Sequence, residues 1–245
     1  YEQTDVARRY AQGRSLPDSV LERWRATVIP LVPSRGGLVV LDVGAGTGIF
    51  SRAWPSWFPA RVVAVEPAPA MRAEMLRHGV SASVQVVAGR GEQLPLNQAC
   101  VDVVWLSAVI HHLDDLARCA AEIRRVLAAD GTVLVRGLFA DLGRAPGLEL
   151  IPGSERALAA FPNVATIEGA FARHGLRLAS TGTVEDAGPA TIGQAADRVR
   201  RLRHADTLLI QFTDDEIAEG LAAMDALDPA QSLEPASLGL LAFGP

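Results

Sequence analysis

Three glycines at alternate positions follow an apolar run that contains one acid. The run 38–43 includes Asp42, and Gly44, Gly46 and Gly48 come directly after it. Glycine lacks a Cβ, so the backbone can adopt φ > 0 and its N–H groups can approach a ligand closely. The pattern predicts a buried strand, a tight turn and a helix whose N-terminus faces a polar or anionic group.

The glycine spacing narrows the choice of ligand. A dinucleotide fingerprint needs a third glycine where Ile49 stands, and a Walker loop needs a lysine, which the chain lacks. Both phosphate-binding patterns are therefore broken. The alternative without a ligand is an ordinary glycine-rich turn between a strand and a helix.

A second apolar run, 61–66, ends in Glu66. At the carboxyl end of a parallel strand, this carboxylate could accept hydrogen bonds from two ribose hydroxyls. Because Pro67 and Pro69 follow, the same acid could instead cap the next helix. The ligand interpretation is the stronger of the two.

Two adjacent histidines follow the fourth predicted strand. His111 and His112 could supply a general base, because imidazole takes up a proton near neutral pH. Alternatively, one ring packs in the core and the other binds backbone, or both hold a metal ion with Asp114 and Asp115. The metal interpretation is weaker, since adjacent histidines on one loop rarely face the same ion, and we expect no metal site.

Alternating strands and helices place these residues in an α/β fold. We expect a doubly wound, Rossmann-like, mostly parallel sheet of seven strands, with helices on both faces, an antiparallel edge strand and a small helical cap. Residues 1–35 are expected to form a helical lid and 36–245 the main domain, with substrate-cap insertions at about 138–165 and 184–215. Strands are predicted over 38–43, 61–66, 84–88, 101–106, 132–135, 176–184 and 236–243. Helices are predicted over 18–29, 69–78, 116–127, 163–174, 190–209 and 214–227.

Four motifs in succession resemble the class I S-adenosylmethionine-dependent methyltransferases, in the small-molecule, type 11-like subgroup. They are D-x-G-x-G-x-G over 42–48, the acid Glu66, G-x-G-E-x-L-P over 89–95 and S-x-x-x-H-H-L-x-D over 107–115. The resemblance covers roughly residues 36–137. It implies methyl transfer from S-adenosylmethionine, with S-adenosylhomocysteine as product, by an in-line displacement that needs a base only for a protonated nucleophile.

The resemblance also implies the site residues. His111 and His112 are the candidate base. The cofactor-binding residues expected from it are Asp42, Gly44, Ala45, Gly46, Gly48, Glu66, Pro67, Met71, Gly91, Glu92, Ser107, Tyr10 and Arg14. One position departs from the family, because Arg90 replaces the aspartate that usually meets the adenine amino group. Adenine is therefore expected against the backbone near Gly91 and apolar side chains.

Composition and missing motifs narrow the acceptor. The net charge of −5 predicts no basic face for nucleic acid, and no Asn/Asp-Pro-Pro-aromatic motif follows the fourth strand. A small organic acceptor is left, a metabolite or natural product methylated on O, N or C. Its pocket is expected from residues 1–20, 138–165 and 184–215. Four arginines there could meet an acceptor's carboxylate or phosphate, or could simply be solvated: Arg144, Arg156, Arg198 and Arg201.

The remaining expectations concern the cellular location, the oligomeric state and the alternative functions. Cys100 and Cys119 are predicted to be core thiols, no membrane-spanning run is present, and the cytoplasm is the expected location. The protein is expected to be a monomer or homodimer. A non-catalytic cofactor-binding scaffold and, less favoured, a Rossmann oxidoreductase remain as alternative functions.

Overall fold

The apolar runs form one eight-stranded sheet in the computed structural model, which describes residues 16–245. Five strands are parallel and lie in the order β3–β2–β1–β4–β5. Their carboxyl ends therefore meet along one edge, where ligands bind in open α/β sheets. The strands are β1 (Leu38–Val43), β2 (Ala60–Val65), β3 (Val84–Val87), β4 (Val101–Ser107), β5 (Leu127–Gly137), β6 (Gly143–Arg144), β7 (Arg177–Glu185) and β8 (Ser237–Gly244).

The antiparallel strand is confirmed, but its predicted place at the edge is wrong. β8 lies between β5 and β7 and pairs antiparallel with both. The edge strand is β7, whose burial pattern is mostly exposed. The expected seven strands become eight, because two residues after β5 form β6 against the start of β8. A two-residue pairing leaves no periodicity in the sequence to predict it from.

Helices cover both faces of the sheet, as the doubly wound prediction requires. One face packs against α1, α2 and Met75 of α3, and the other packs against α4 and α6. Burial on both faces explains why β1 and β4 are almost continuously apolar. The helices are α1 (Asp18–Val28), α2 (Ile49–Trp57), α3 (Pro69–Arg77), α4 (Leu116–Val126), α5 (Ser154–Ala159), α6 (Val164–Ala172), α7 (Ile192–Leu202) and α8 (Asp214–Asp225).

A third apolar core lies outside the sheet. Helices α5, α7 and α8 and two 3₁₀ turns pack on one another through residues between Leu148 and Phe161 and between Ile192 and Met224. We call residues 145–161 and 192–224 the cap. Helix α8 begins with a capping box, in which Thr213 and Glu216 exchange hydrogen bonds.

One local prediction needs correction, and another falls outside the structure. Cys119 is buried as predicted, whereas Cys100 is exposed. The first fifteen residues of the expected lid, together with Tyr10 and Arg14, lie outside the described residues. No helix among residues 16–245 is both long and apolar enough to span a bilayer.

A buried ion pair joins the sheet to the segment that leads into the cap. Arg136 of β5 pairs with Asp186, which follows β7, and the two side chains are 6% and 5% exposed. Asp186 also accepts a 2.8 Å hydrogen bond from the Trp24 indole N–H of α1. The Arg136 guanidinium lies between two rings, 4.7 Å from the centre of Trp24 and 4.9 Å from that of Phe50. Four segments that are remote in sequence are therefore fixed at one point.

We predict that Arg136→Met lowers the free energy of unfolding by about 3–5 kcal/mol, because it leaves a buried carboxylate without its cation. Arg144→Met is the matched control, since its ion pair with Glu234 is 57% and 78% exposed. That variant should lose at most about 1 kcal/mol. Urea unfolding of both variants measures the difference. Equal losses would show that the buried pair has no special role in stability.

Candidate functional site

The predicted glycine turn is present and has the backbone shape that requires glycine. Gly44 and Gly48 have φ of +66° and +80°. A Cβ on Gly44 would lie 2.3 Å from Val109 Cγ2, and one on Gly48 would lie 2.4 Å from Met75 Cγ. A Cβ on Gly46 would meet nothing within 4 Å. The turn is thus packed tightly behind its first and last glycines and open at the middle one.

The strand next to the turn holds its amides in place. Gly44 N and Ala45 N both donate to the Val65 carbonyl oxygen, at 2.8 and 3.1 Å. The Glu66 carboxylate, which is 7% exposed, accepts from Gly46 N at 2.9 Å and from Ala68 N at 2.8 Å. Glu66 thus binds the backbone just before α3, where Ala68 holds the N-cap position without a side-chain cap, and it lies directly against the open part of the turn.

A cavity of about 250 Å³ connects the turn to the cap. Its sheet side is lined by residues at the carboxyl ends of β1, β4 and β5. Its cap side is mainly apolar and includes the α7 and α8 helices. Of the predicted site residues, those that line it are Asp42, Gly44, Ala45, Gly46, Ser107 and His111.

The structure separates the two histidines. His111 lines the cavity, and its ring lies 4.8 Å from the Phe161 ring of the cap. His112 is outside the described lining, and its Nε2 lies 3.5 Å from Thr207 Oγ1. Both belong to the 3₁₀ turn Ile110–His112. Of the two, His111 alone borders the space where an acceptor would bind.

Several predicted cofactor residues lie outside the cavity lining. Gly91 is packed in the core, where a Cβ would lie 2.9 Å from Cys119 Sγ. Arg90 is largely exposed and pairs with Asp114, so its guanidinium is part of a surface ion pair. The other predicted residues outside the lining are Gly48, Glu66, Pro67, Met71 and Glu92.

Three charged residues of the cavity were missed by the sequence analysis, and one of them is Asp206. Arg136 and Asp186, the buried pair described above, both line it. Arg136 Nη1 donates to Ser107 Oγ at 2.9 Å, so it also fixes a predicted site residue. Of the four arginines singled out in the sequence, Arg144 and Arg198 line the cavity, whereas Arg156 and Arg201 do not.

The surroundings of Asp42 raise the pKa of its carboxyl group. The side chain is 2% exposed, and its Oδ2 accepts a 2.6 Å hydrogen bond from Ser51 Oγ. The pKa of Asp42 is raised to about 7, chiefly because the side chain is buried, while the hydrogen bonds from Ser51 oppose the rise and the charge of Glu66 adds to it. A cation bound in the cavity would lower the pKa again by favouring the carboxylate.

We predict that Asp42 makes the protein less stable as the pH rises between its ordinary pKa of 3.8 and about 7. Over this range the native state retains a proton that the unfolded chain has released, so rising pH favours unfolding. Asp42→Asn keeps an oxygen for Ser51 but does not ionise. Urea unfolding across this range should show the variant gaining stability relative to wild type as the pH rises. Asp197→Asn, at an exposed side chain, is the control. A pH-independent difference for Asp42→Asn would contradict the prediction.

Comparisons with known proteins agree with this arrangement. A family model described as a methyltransferase domain matches residues 41–135. A malonyl-[acyl-carrier protein] O-methyltransferase of Pectobacterium atrosepticum is 29% identical over 154 residues, which are 59% of this chain and 59% of that protein. A demethylmenaquinone methyltransferase of Thermobifida fusca is 32% identical over 115 residues, 46% of this chain and 48% of that protein. The chain thus matches about half the length of these relatives.

Solved structures support the fold. A putative methyltransferase from an antibiotic biosynthesis pathway of Anabaena variabilis superposes with a TM-score of 0.67 at 20% identity, covering 90% of this chain and 96% of that one. The [4+2]-cyclase SpnF superposes with a TM-score of 0.63 at 18% identity, covering 95% and 84%. Residues 41–135, which carry the glycine turn and Glu66, match the methyltransferase-domain model, and the comparisons together support a resemblance to the class I S-adenosylmethionine-dependent methyltransferases of the type 11 subgroup.

Proposed function

We propose that the protein transfers a methyl group from S-adenosylmethionine to a small organic acceptor, a metabolite or natural product, on O, N or C. The observation that carries this proposal is one cavity with two different walls. The glycine turn forms part of one wall, and the apolar cap forms the other. Such a cavity suits a donor and an acceptor that must meet without water between them.

The residues at the turn fit the donor. Gly46 leaves open space beside backbone amides at the start of α2, where a carboxylate or other polar group can be bound. Glu66 is almost buried beside that space and can accept hydrogen bonds from ribose hydroxyls. Asp42 lines the same wall and can neutralise a positive group. We retain Ala45 and Ser107 as further contacts on this wall.

The protein's own part in the reaction is chiefly alignment. S-adenosylmethionine, when bound, supplies a methyl group on a positively charged sulfur, which is already a good leaving group. The cap shields the cavity, and His111 borders it, placed to accept a proton from an acceptor hydroxyl or amine. His112 interacts with Thr207 of the cap, so we assign it to holding the cap in position.

The acceptor is not fixed by the relatives, and the fold alone does not fix the reaction. The relatives' names give malonyl-[acyl-carrier protein] and demethylmenaquinone as acceptors. One structural neighbour is named as a [4+2]-cyclase, which keeps a binding scaffold without methyl transfer as the alternative function. A nicotinamide oxidoreductase is disfavoured, because Ile49 begins α2 where a third glycine would be needed.

The cellular setting is also a proposal. We propose a cytoplasmic location, which agrees with Cys100 and Cys119 being free thiols. A monomer or homodimer remains the predicted state. The division into an N-terminal lid, a main domain and cap insertions likewise remains a prediction.

Calorimetric titration with S-adenosylhomocysteine tests the donor site. We predict micromolar binding to wild type, and at least about tenfold weaker binding to Glu66→Gln, because one carboxylate acceptor becomes an amide donor. The 2′,3′-dideoxyribose analogue separates ribose binding from support of the turn. If Glu66 binds the ribose hydroxyls, the losses caused by the variant and by the analogue should not add.

Two outcomes would contradict the assignment. Fully additive losses would mean that Glu66 acts only by holding Gly46 N and Ala68 N. Absence of binding to wild type by both S-adenosylhomocysteine and S-adenosylmethionine would overturn the proposed function. Glu22→Gln, at an exposed position on α1, controls for the loss of one negative charge.

Histidine variants test the proposed base on an acceptor found by screening phenols and amines for S-adenosylhomocysteine release. We predict that His111→Asn lowers kcat by about 100-fold or more and removes the loss of activity at acid pH. His112→Asn should retain the pH profile, because its ring is outside the cavity. Equal effects of the two variants, or an unchanged pH profile in His111→Asn, would assign His111 a packing role instead.

A further inference from the structure

The cap side of the cavity is apolar and belongs to a single packed core. Side chains of the third core face the cavity from both stretches of the cap. Those that line it are Ala145, Leu148, Phe161, Ala195, Val199, Leu208, Leu209 and Met224. An apolar ligand that packs against such a wall is stabilised, because apolar surface of both is removed from water.

Apart from Asp42 on the wall of the glycine turn, the charged side chains of the described lining have ion-pair partners within the protein. Arg136 pairs with Asp186 at the floor. Arg198 donates to Asp206 Oδ2 at 2.8 Å, and the other carboxylate oxygen of Asp206 accepts from Leu208 N at 2.9 Å. An anionic acceptor would bring its negative charge next to the carboxylate that each of these arginines already binds, and that carboxylate would repel it. A cationic acceptor would face the reverse cost.

The third arginine of the lining lies at the rim. Arg144 is 57% exposed and pairs with Glu234, which is 78% exposed. Solvent screens a charge in this position, so it contributes little to binding a charged group inside the cavity. The described lining therefore offers apolar contact and hydrogen bonds, with the polar side chains of Thr47, Ser107, Thr207 and His111.

We propose that the acceptor is an uncharged, mainly apolar molecule that fills the cap side of the cavity. This inference rests on the proposed function and narrows it to a substrate class. The reacting oxygen, nitrogen or carbon would be the acceptor's polar end, directed toward Ser107 and His111. The remainder of the acceptor would lie against Phe161, Val199 and Met224.

Two fluorescent probes with the same aromatic skeleton test this inference. N-phenyl-1-naphthylamine is neutral, and 8-anilino-1-naphthalenesulfonate carries one negative charge. Titrated into the full chain with S-adenosylhomocysteine present, the neutral probe should bind saturably and at least about tenfold more tightly than the sulfonate. Its affinity should not change with salt concentration.

Variants locate the binding to the cap wall. Ala145→Phe fills part of the cavity at a half-buried position and should weaken the neutral probe about tenfold or more, while Ala223→Phe, exposed on α8, should have no effect. Val199→Thr keeps the side-chain volume and adds a hydroxyl to the wall. It should weaken the neutral probe about fivefold, and it keeps the test informative if Ala145→Phe fails to fold.

The possible outcomes distinguish failure of this inference from failure of the proposed function. Equal or tighter binding of the sulfonate, weakened by salt, would overturn the neutral class and indicate an anionic acceptor. Neutral-probe binding unchanged by both cap variants would place the probe elsewhere and also overturn the inference. Failure of the proposed function is read separately, as absence of S-adenosylhomocysteine binding in the same protein.

Discussion

The site depends on how strand β2 holds the backbone of the glycine turn. The Val65 carbonyl oxygen accepts from Gly44 N and Ala45 N, and Glu66 accepts from Gly46 N. These bonds occupy amides that would otherwise be unsatisfied and keep the turn from closing over its middle glycine. Because Val109 and Met75 fill the space behind the first and last glycines, only the position of Gly46 stays open. The turn therefore leaves one open position, at Gly46, at the edge of the sheet where the parallel strands end.

The low solvent exposure of the cavity wall is a second constraint, because it limits which charged side chains can be present there. An isolated ion is costly there, so buried cations and anions come in pairs, as Arg136 does with Asp186. Asp42 has no such cation among its described partners, and the result is a raised pKa rather than an ion pair. The same low exposure strengthens the electrostatic interactions of any charge that a ligand brings into the cavity. A cationic donor group therefore suits the wall near Asp42, and a neutral acceptor suits the cap.

The elements around the glycine turn could be predicted from sequence because their signals are local. The turn at 44–48, the acid at the end of β2 and the histidines after β4 each lie within one short segment. The buried pair could not be predicted, because Arg136 and Asp186 are 50 residues apart and meet only when β8 has been inserted between β5 and β7. The sequence also could not show which of the four arginines line the cavity. Arg144 lines it and Arg156 does not, and the two differ in tertiary position rather than in local sequence pattern.

The family match ends at residue 135, one position before Arg136, and this boundary has a physical meaning. Residues 41–135 include the glycine turn and Glu66, to which we assign the donor, and the donor's chemistry is the same whatever is methylated. The cap lies entirely beyond that boundary and has its own apolar core. Its packing can therefore differ without a change in the turn or Glu66, because the turn and the cap face each other across the cavity. Under the proposed function, the cap determines the acceptor, which must then be inferred from the residues that line this chain's own cavity.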